Sequence, residues 1–484
     1  MKKCLILFVL MVLVLGWGFP NIAPAQKLTL QLWSPMASEY TRPIVDKIVE
    51  RWNKLNPDVQ VVHTPVSAQM ADKFKVAVAA KNAPDIIMGG ITAFYDPAGK
   101  PRAEIEKECP FVYIDKYLNK KYMSEFYDDG WIQQEARYEG YIGIPVEMIA
   151  EVMFYNKDLF KLAGLNPEVP PKTIDQFHRY IARITEVAVK KGVEKYGYIF
   201  EAKNPSEVAF LVNFAGPLAG HLMPTGYRNK NGEYVLTMAD SRNLDGLEKL
   251  YRIPYEKKWT PKVLGYDYMN ARAAFGQGLV GFYRIGAYMM LVYNRQYPNL
   301  NYGICDLPRI TPDGTYVAGG TANWLLITKK EFGGHPEEAI KFAMFFANAQ
   351  NQATLAIEAG KAVPNKLAYK SPDMPKYLLN VKKILDTRMK EQENWKEKQI
   401  AAYPDVEVVK KSGIKMVMDS VPTAIAGGQI INIAGGLMQS YLEGKISGKD
   451  MLLQIEKEWA DILRREGLKV NEASIGWDVP KPVK

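Results

Sequence analysis

The side chains able to do chemistry are few and scattered. There are four histidines, His63, His178, His221 and His335. None pairs with another at i, i+4 and no H-E-x-x-H occurs, so no zinc-hydrolase ligand set is visible. The chain has no G-x-S-x-G elbow for a serine nucleophile, no G-x-x-x-x-G-K-[ST] loop for ATP and no D-x-D-x-D-G calcium loop. Carboxylate neighbours such as Asp128 and Asp129 exist, but the acids of a glycosidase can come from anywhere in a sequence, so that chemistry stays open. Gly276, Gly278 and Gly281 spell G-x-G-x-x-G. The motif cradles a dinucleotide only after a strand and before a helix. Here a helix comes first and Leu279 to Tyr283 reads as the strand, which argues against a nucleotide site. We expect no cofactor and no metal.

What remains is a set of aromatic and polar residues near strand ends. A ring can cover the apolar face of a sugar while Asp, Glu, Asn and Arg pair with its hydroxyls in fixed directions. Trp33, at the end of the first strand, is either such a platform or a core residue capping the strand. Trp52, Trp395 and Trp459 fall within amphipathic helices and read as core.

A chain of 484 residues implies two or three domains. Charged residues make up 24% and hydrophobic ones 48%, ordinary for a soluble globular chain. Lys2 and Lys3 precede the wholly apolar Leu5 to Leu15, and Ala23-Pro24-Ala25 has the form of a cleavage site. The apolar core is too short to span a bilayer. We read residues 1–25 as a cleaved signal peptide, which places the mature chain in the periplasm or outside the cell. Cys4 precedes the apolar core, which argues against a lipid anchor. Losing Lys2 and Lys3 lowers the net charge from +9 to +7, and no basic stripe stands out, so nucleic acid is not an expected partner. Cys109 and Cys305 remain; the sequence leaves open whether they pair or stay as free thiols.

The elements that must position a site follow from periodicity. Leu28, Leu30 and Leu32 alternate as a strand. Ile44, Val45, Ile48, Trp52 and Leu55 share one face of a helix from about Arg42 to Leu55, stopped at Asn56-Pro57. Strands follow at Val59 to Val62 and Ile86 to Met88, with a helix at about Ala68 to Ala80 between them. This β-α-β-α-β order predicts a mostly parallel sheet with helices on both faces and ligands beyond the strands' carboxyl ends. Val152 to Tyr155 reads as a buried strand. Asn156 caps the helix after it, Gly164 ends that helix, and Thr173 with Gln176 has capping-box spacing before a long helix. Further helices are expected at Val208 to Phe214, Leu244 to Tyr255 and Pro336 to Ala349, with a strand at Leu325 to Ile327.

Gly143, Pro145, Tyr155 to Phe160, Gly164 and Pro170 to Thr173 together form a pattern. In it the chain resembles the extracellular solute-binding proteins of ABC importers, in the branch that includes maltose-binding protein. The resemblance covers most of residues 27–470. It implies an α/β, two-lobe periplasmic-binding-protein-like fold, each lobe a mostly parallel sheet flanked by helices, joined by hinge crossovers. The lobes would be 26–145 with 305–347, and 146–304 with 348–484. The implied function is binding of a carbohydrate, an oligosaccharide, between the lobes by a monomer that delivers it to membrane permease subunits without converting it. Binding of a peptide, polyamine or anionic sugar, or a secreted carbohydrate-active enzyme, are the alternatives. By resemblance Tyr288 and Trp324 border the cleft. Glu147, just after the first crossover, is either a ligand acceptor or a hinge hydrogen-bonder, and Arg284 meets ligand or a neighbouring acid. Tyr40, Gln69, Tyr95, Asp96 and Asn323 complete the candidate set.

Overall fold

The computed structural model describes residues 27–66, 69–95, 97, 100–203, 215–316, 320–411, 414–417 and 423–478. The expected signal peptide, Asp96 and the helix expected at Val208 to Phe214 lie outside the described residues.

The first third of the chain lays down β1 (Leu28–Ser34), α1 (Arg42–Leu55), β2 (Val59–Pro65), α2 (Met70–Ala79) and β3 (Ile86–Gly89). Ile44, Val45, Ile48 and Trp52 are buried on one face of α1, and the Trp52 indole donates to the Val59 carbonyl at 2.8 Å, but Leu55, expected on that face, is exposed in the last turn. After α3 (Asp129–Tyr138), β4 (Gly143–Met148) runs up to the first crossover. Only Ile149 and Ala150 separate β4 from β5 (Glu151–Asn156). Asn156 Oδ1 accepts from the amides of Asp158 and Leu159 and caps α4 (Lys157–Leu162). Gly164 takes φ +68°, the left-handed turn that ends this segment. The Thr173–Gln176 capping box opens α5 (Ile174–Lys190).

Beyond α5 come β6 (Tyr196–Ile199), α6 (Tyr268–Gly276), β7 (Val280–Gly286), α7 (Met289–Gln296) and β8 (Tyr302–Cys305). The glycine motif thus does join a helix to a following strand. The run expected as one helix over Leu244 to Tyr255 is helical but contains a π turn at Glu248–Arg252, just before Pro254, which has no amide hydrogen to give. The chain returns as β9 (Thr321–Ile327), followed by α8 (Pro336–Phe346), α9 (Ala349–Ala359) and α10 (Lys376–Ala402).

Two main sheets result, in the orders β2-β1-β3-β9-β4 and β8-β5-β7-β6. They are mixed rather than mostly parallel. β1 is parallel to β2 and β3, as the β-α-β-α-β pattern requires, but β9 is antiparallel to both β3 and β4. In the second sheet β6 is parallel to β7, while β5 is antiparallel to β7 and β8. The antiparallel pairs arise where the chain crosses from one sheet to the other and back. In the first sheet Ile86, Met88, Leu325 and Ile327 face one apolar layer, and Ile87, Trp324 and Leu326 face the other. That is the sign of a sheet covered on both faces.

Residues 348–370 do not leave the first sheet's helices: on α9, Asn351 accepts from Arg51 of α1 at 2.6 Å and Glu358 pairs with Lys47 at 2.6 Å. α10 then bonds to both units, through Tyr127 to Asp386 at 2.7 Å and Gln399 to the Leu222 carbonyl at 2.8 Å. Cys109 and Cys305 are free thiols.

Candidate functional site

The two-residue link Ile149–Ala150 sets the edge of one sheet against the edge of the other. Ala150 accepts from the Ala287 amide at 2.8 Å, and the Ile149 amide donates to Gly320 at 3.0 Å. The first edge comprises the carboxyl ends of β1, β3 and β4 and the start of β9. The second comprises the start of β5 and the ends of β6 and β7, with Glu151 opposite Gly286.

A cluster spans the two edges. Glu147 is 4% exposed. One of its carboxylate oxygens accepts from the Asn323 amide at 2.8 Å, and the other accepts from the ammonium of Lys361. That ammonium also lies 5.4 Å from the centre of the Tyr288 ring. The ring reaches this position because Gly286 has no side chain; a Cβ there would overlap it. Burial pushes the Tyr288 phenol well above its ordinary pKa, so it stays a neutral hydroxyl. Three expected residues, Glu147, Asn323 and Tyr288, therefore meet in space. Glu147 acts here as a hydrogen-bonder tying the crossover to the segment after α9, where the Met148 amide also donates to Ala362 at 2.9 Å.

Arg284 pairs with a neighbouring acid, donating to Glu151 at 2.7 Å. Burial raises the Glu151 carboxyl, while Arg284 and Arg388 pull it back. Glu201, beyond β6, accepts from the Tyr283 hydroxyl at 2.5 Å. Thus Glu147 and Glu151 each hold a cation, one on each edge.

The other expected residues scatter. Trp324 is corrected to core: it is 2% exposed, packs in the layer with Ile87 and Leu326, and gives its indole proton to Gly130 at 3.1 Å. Trp33 is half-buried against the same layer. Tyr40 touches the second unit, its hydroxyl accepting from Gln296 at 3.3 Å with the Arg295 guanidinium 5.3 Å from its ring centre. Tyr95 is turned into its own unit: its hydroxyl donates to Glu108 at 3.3 Å, and burial pushes it up to about 12. Gln69 is exposed at φ +53° ahead of α2 and joins no cluster.

Two features escaped sequence reasoning. Lys361 lies 214 positions from the carboxylate it binds, and its local signal is only that it follows Gly360, whose φ of +63° ends α9. The other is a relay. Ser34 Oγ lies 2.7 Å from His63 Nε2, and His63 Nδ1 lies 2.6 Å from Asp46. The Met36 amide donates to Ser34 Oγ at 3.3 Å. The order of groups is that of a hydrolytic triad. Ser34 is wholly buried, however, so its oxygen is closed to a substrate. The relay instead fixes the turn after Trp33 to β2 and α1. Burial lowers the His63 pKa although Asp46 opposes the shift. Among the described residues no three His, Cys, Asp or Glu side chains are placed to hold a metal ion.

Comparison with known proteins agrees with this architecture. A family model described as bacterial extracellular solute-binding protein matches residues 37–353. The sn-glycerol-3-phosphate-binding periplasmic protein UgpB of Escherichia coli (strain K12) is 25% identical over 387 residues, covering 73% of this chain and 78% of that protein. The sugar-binding protein MalE from Xanthomonas citri superposes with a TM-score of 0.66 at 19% identity, covering 91% of this chain and 98% of that one. Maltose-bound MalE3 of T. maritima gives 0.65 at 19%, covering 90% and 100%. The fold is therefore the two-lobe one of these proteins.

Proposed function

The chain belongs to the bacterial extracellular solute-binding protein family, and on that premise we propose that it binds an uncharged oligosaccharide between its two sheet edges and delivers it to the permease subunits of an ABC importer. We place the mature protein in the periplasm or outside the cell, exported by residues 1–25, acting as a monomer and returning its ligand unchanged. Among the described residues no helix is long and apolar enough to cross a membrane. The first lobe takes 26–149 and 306–370, the second 150–305 and the segments after 370 that pack on it.

The observation that carries the reading is the cluster of Glu147, Asn323, Lys361 and Tyr288 at the crossover. It sets a half-buried ring beside directional polar groups, the usual plan of a small-ligand cleft. A ligand touching both edges stabilises the closed arrangement over the open one. Tyr40, with its contacts to Gln296 and Arg295, closes the same gap at a second point.

The UgpB likeness favours a second reading, a phosphorylated polyol. The charge distribution argues against it: among the described cleft residues Lys361 and Arg284 are both held by carboxylates. Isothermal titration against neutral oligosaccharides and sn-glycerol-3-phosphate separates the two readings. Solution scattering should show compaction with the bound sugar, and Tyr288→Ala should weaken binding more than about tenfold with an unchanged fold. Tight binding with no compaction would end the clamshell mechanism, and unchanged affinity would remove Tyr288 from the site.

A further inference from the structure

The cleft lies at one end of the second sheet. The other end carries a separate cavity of about 400 Å³, between the end of β5, the α6–β7 turn and the loop after α7. That volume is within the ~300–1,000 Å³ of small-ligand sites. Its lining includes the amides of Asn156, Gln277, Gln296 and Asn299.

Asn156 makes the cavity more than a surface hollow. The residue is 4% exposed. Its Oδ1 is used twice, by the amides of Asp158 and Leu159. Its Nδ2 has no partner among the described residues and sits against Gly278, where the methyl of an alanine would come within 3.4 Å of it. That donor opens on the cavity, where an oxygen acceptor can pair with it.

The charges at the rim are already engaged. Asp158 accepts from Asn301 at 2.7 Å, and Lys195 donates to the Gly278 carbonyl at 3.0 Å. The Asn156 donor and the Gln277 and Asn299 amides, with the charges beside them engaged, match hydroxyl groups better than ions. We infer that this cavity is a second binding site, distinct from the interlobe cleft, for a neutral polyhydroxy compound of monosaccharide size, with Asn156 Nδ2 as a donor in its wall.

The test is saturation-transfer NMR and titration of the full mature chain with D-glucose and myo-inositol. Asn156→Asp keeps an oxygen to cap α4 and replaces the donor with a charged acceptor; Gln277→Ala changes an exposed residue of the rim. We expect saturable millimolar binding of at least one probe, weakened at least tenfold in Asn156→Asp and severalfold in Gln277→Ala, with melting temperatures near that of the parent. A probe that also enters the cleft keeps that signal in both variants, so the loss reports this cavity alone and does not depend on the cleft reading. No saturable binding of either probe, or equal binding by parent and Asn156→Asp, overturns the inference.

Discussion

Replacing Lys361 with methionine removes a charge while keeping the length and bulk of the side chain. Glu147, 4% exposed, would be left with the Asn323 amide as its remaining partner in the cluster. Breaking a fully buried pair from one side costs ~3–5 kcal/mol, because the remaining charge stays desolvated. Two features reduce that cost here. The Lys361 side chain is 18% exposed, so water can follow the ammonium out, and the Asn323 bond is kept. We therefore expect a loss of about 2 kcal/mol, which for a domain of 150–250 residues is a fall in Tm of roughly 4–8 °C. Differential scanning calorimetry measures it directly. The double variant Glu147→Gln with Lys361→Met should recover most of the loss, because no unpaired charge is then buried, giving a coupling energy of about 1–2 kcal/mol. Ligand affinity should fall as well, since the ammonium over Tyr288 contributes ~0.5–1 kcal/mol to holding that ring. A single variant melting within about 1 °C of the parent, with strictly additive double-mutant behaviour, would refute the view of this pair as a clasp.

Acidification tests the relay. Burial keeps His63 below its ordinary pKa, so as pH falls the unfolded chain takes up this proton first. Its stabilising contribution is full above about pH 6.5 and is lost as pH drops below that value toward the folded pKa. In urea titrations the stability gap between the parent and His63→Gln should narrow from about pH 7 to about pH 5; a constant gap would show that His63 does not titrate differently on folding. Trp324→Phe should cost about 1–2 kcal/mol through the lost bond to Gly130 while leaving ligand affinity unchanged. A tenfold fall in affinity would return Trp324 to the cleft.

The local parts of the fold were legible because the forces that make them are local. The Thr173–Gln176 box, the Asn156 cap and the left-handed Gly164 each need only a few neighbouring residues, and each is present. The strand content of the glycine motif was legible from order alone. The mixed sheets were not, since the β9–β3 and β9–β4 pairings join segments more than 170 residues apart. Trp324 was misplaced for a related reason. The expected strand began at Leu325, directly after the glycine loop, but it starts at Thr321, and alternation along it turns Trp324 toward the Ile87 layer. Lys361 and the Ser34–His63–Asp46 relay depend wholly on tertiary placement, and no spacing rule points to them. The candidate site was thus half visible: Glu147, Asn323 and Tyr288 could be named, but not the cation that joins them.

That cation bears on what the cleft selects. An ionised carboxylate offers about four acceptor directions. Glu147 spends one on Asn323 and one on Lys361, and Glu151 spends at least one on Arg284. The unspent directions are acceptors, suited to hydroxyl donors. A phosphate brings only acceptors and like charge. To use Lys361 or Arg284 it would have to pull each cation from a carboxylate that is itself poorly solvated, leaving that carboxylate behind. A sugar hydroxyl can instead donate to the carboxylate while the cation stays in place. Because Glu147 ends the first sheet and Glu151 begins the second, one ring donating to both would be tied to both lobes. Closure would then follow from the ligand's own hydrogen bonds, and a solute unable to donate in two directions would bind without drawing the lobes together.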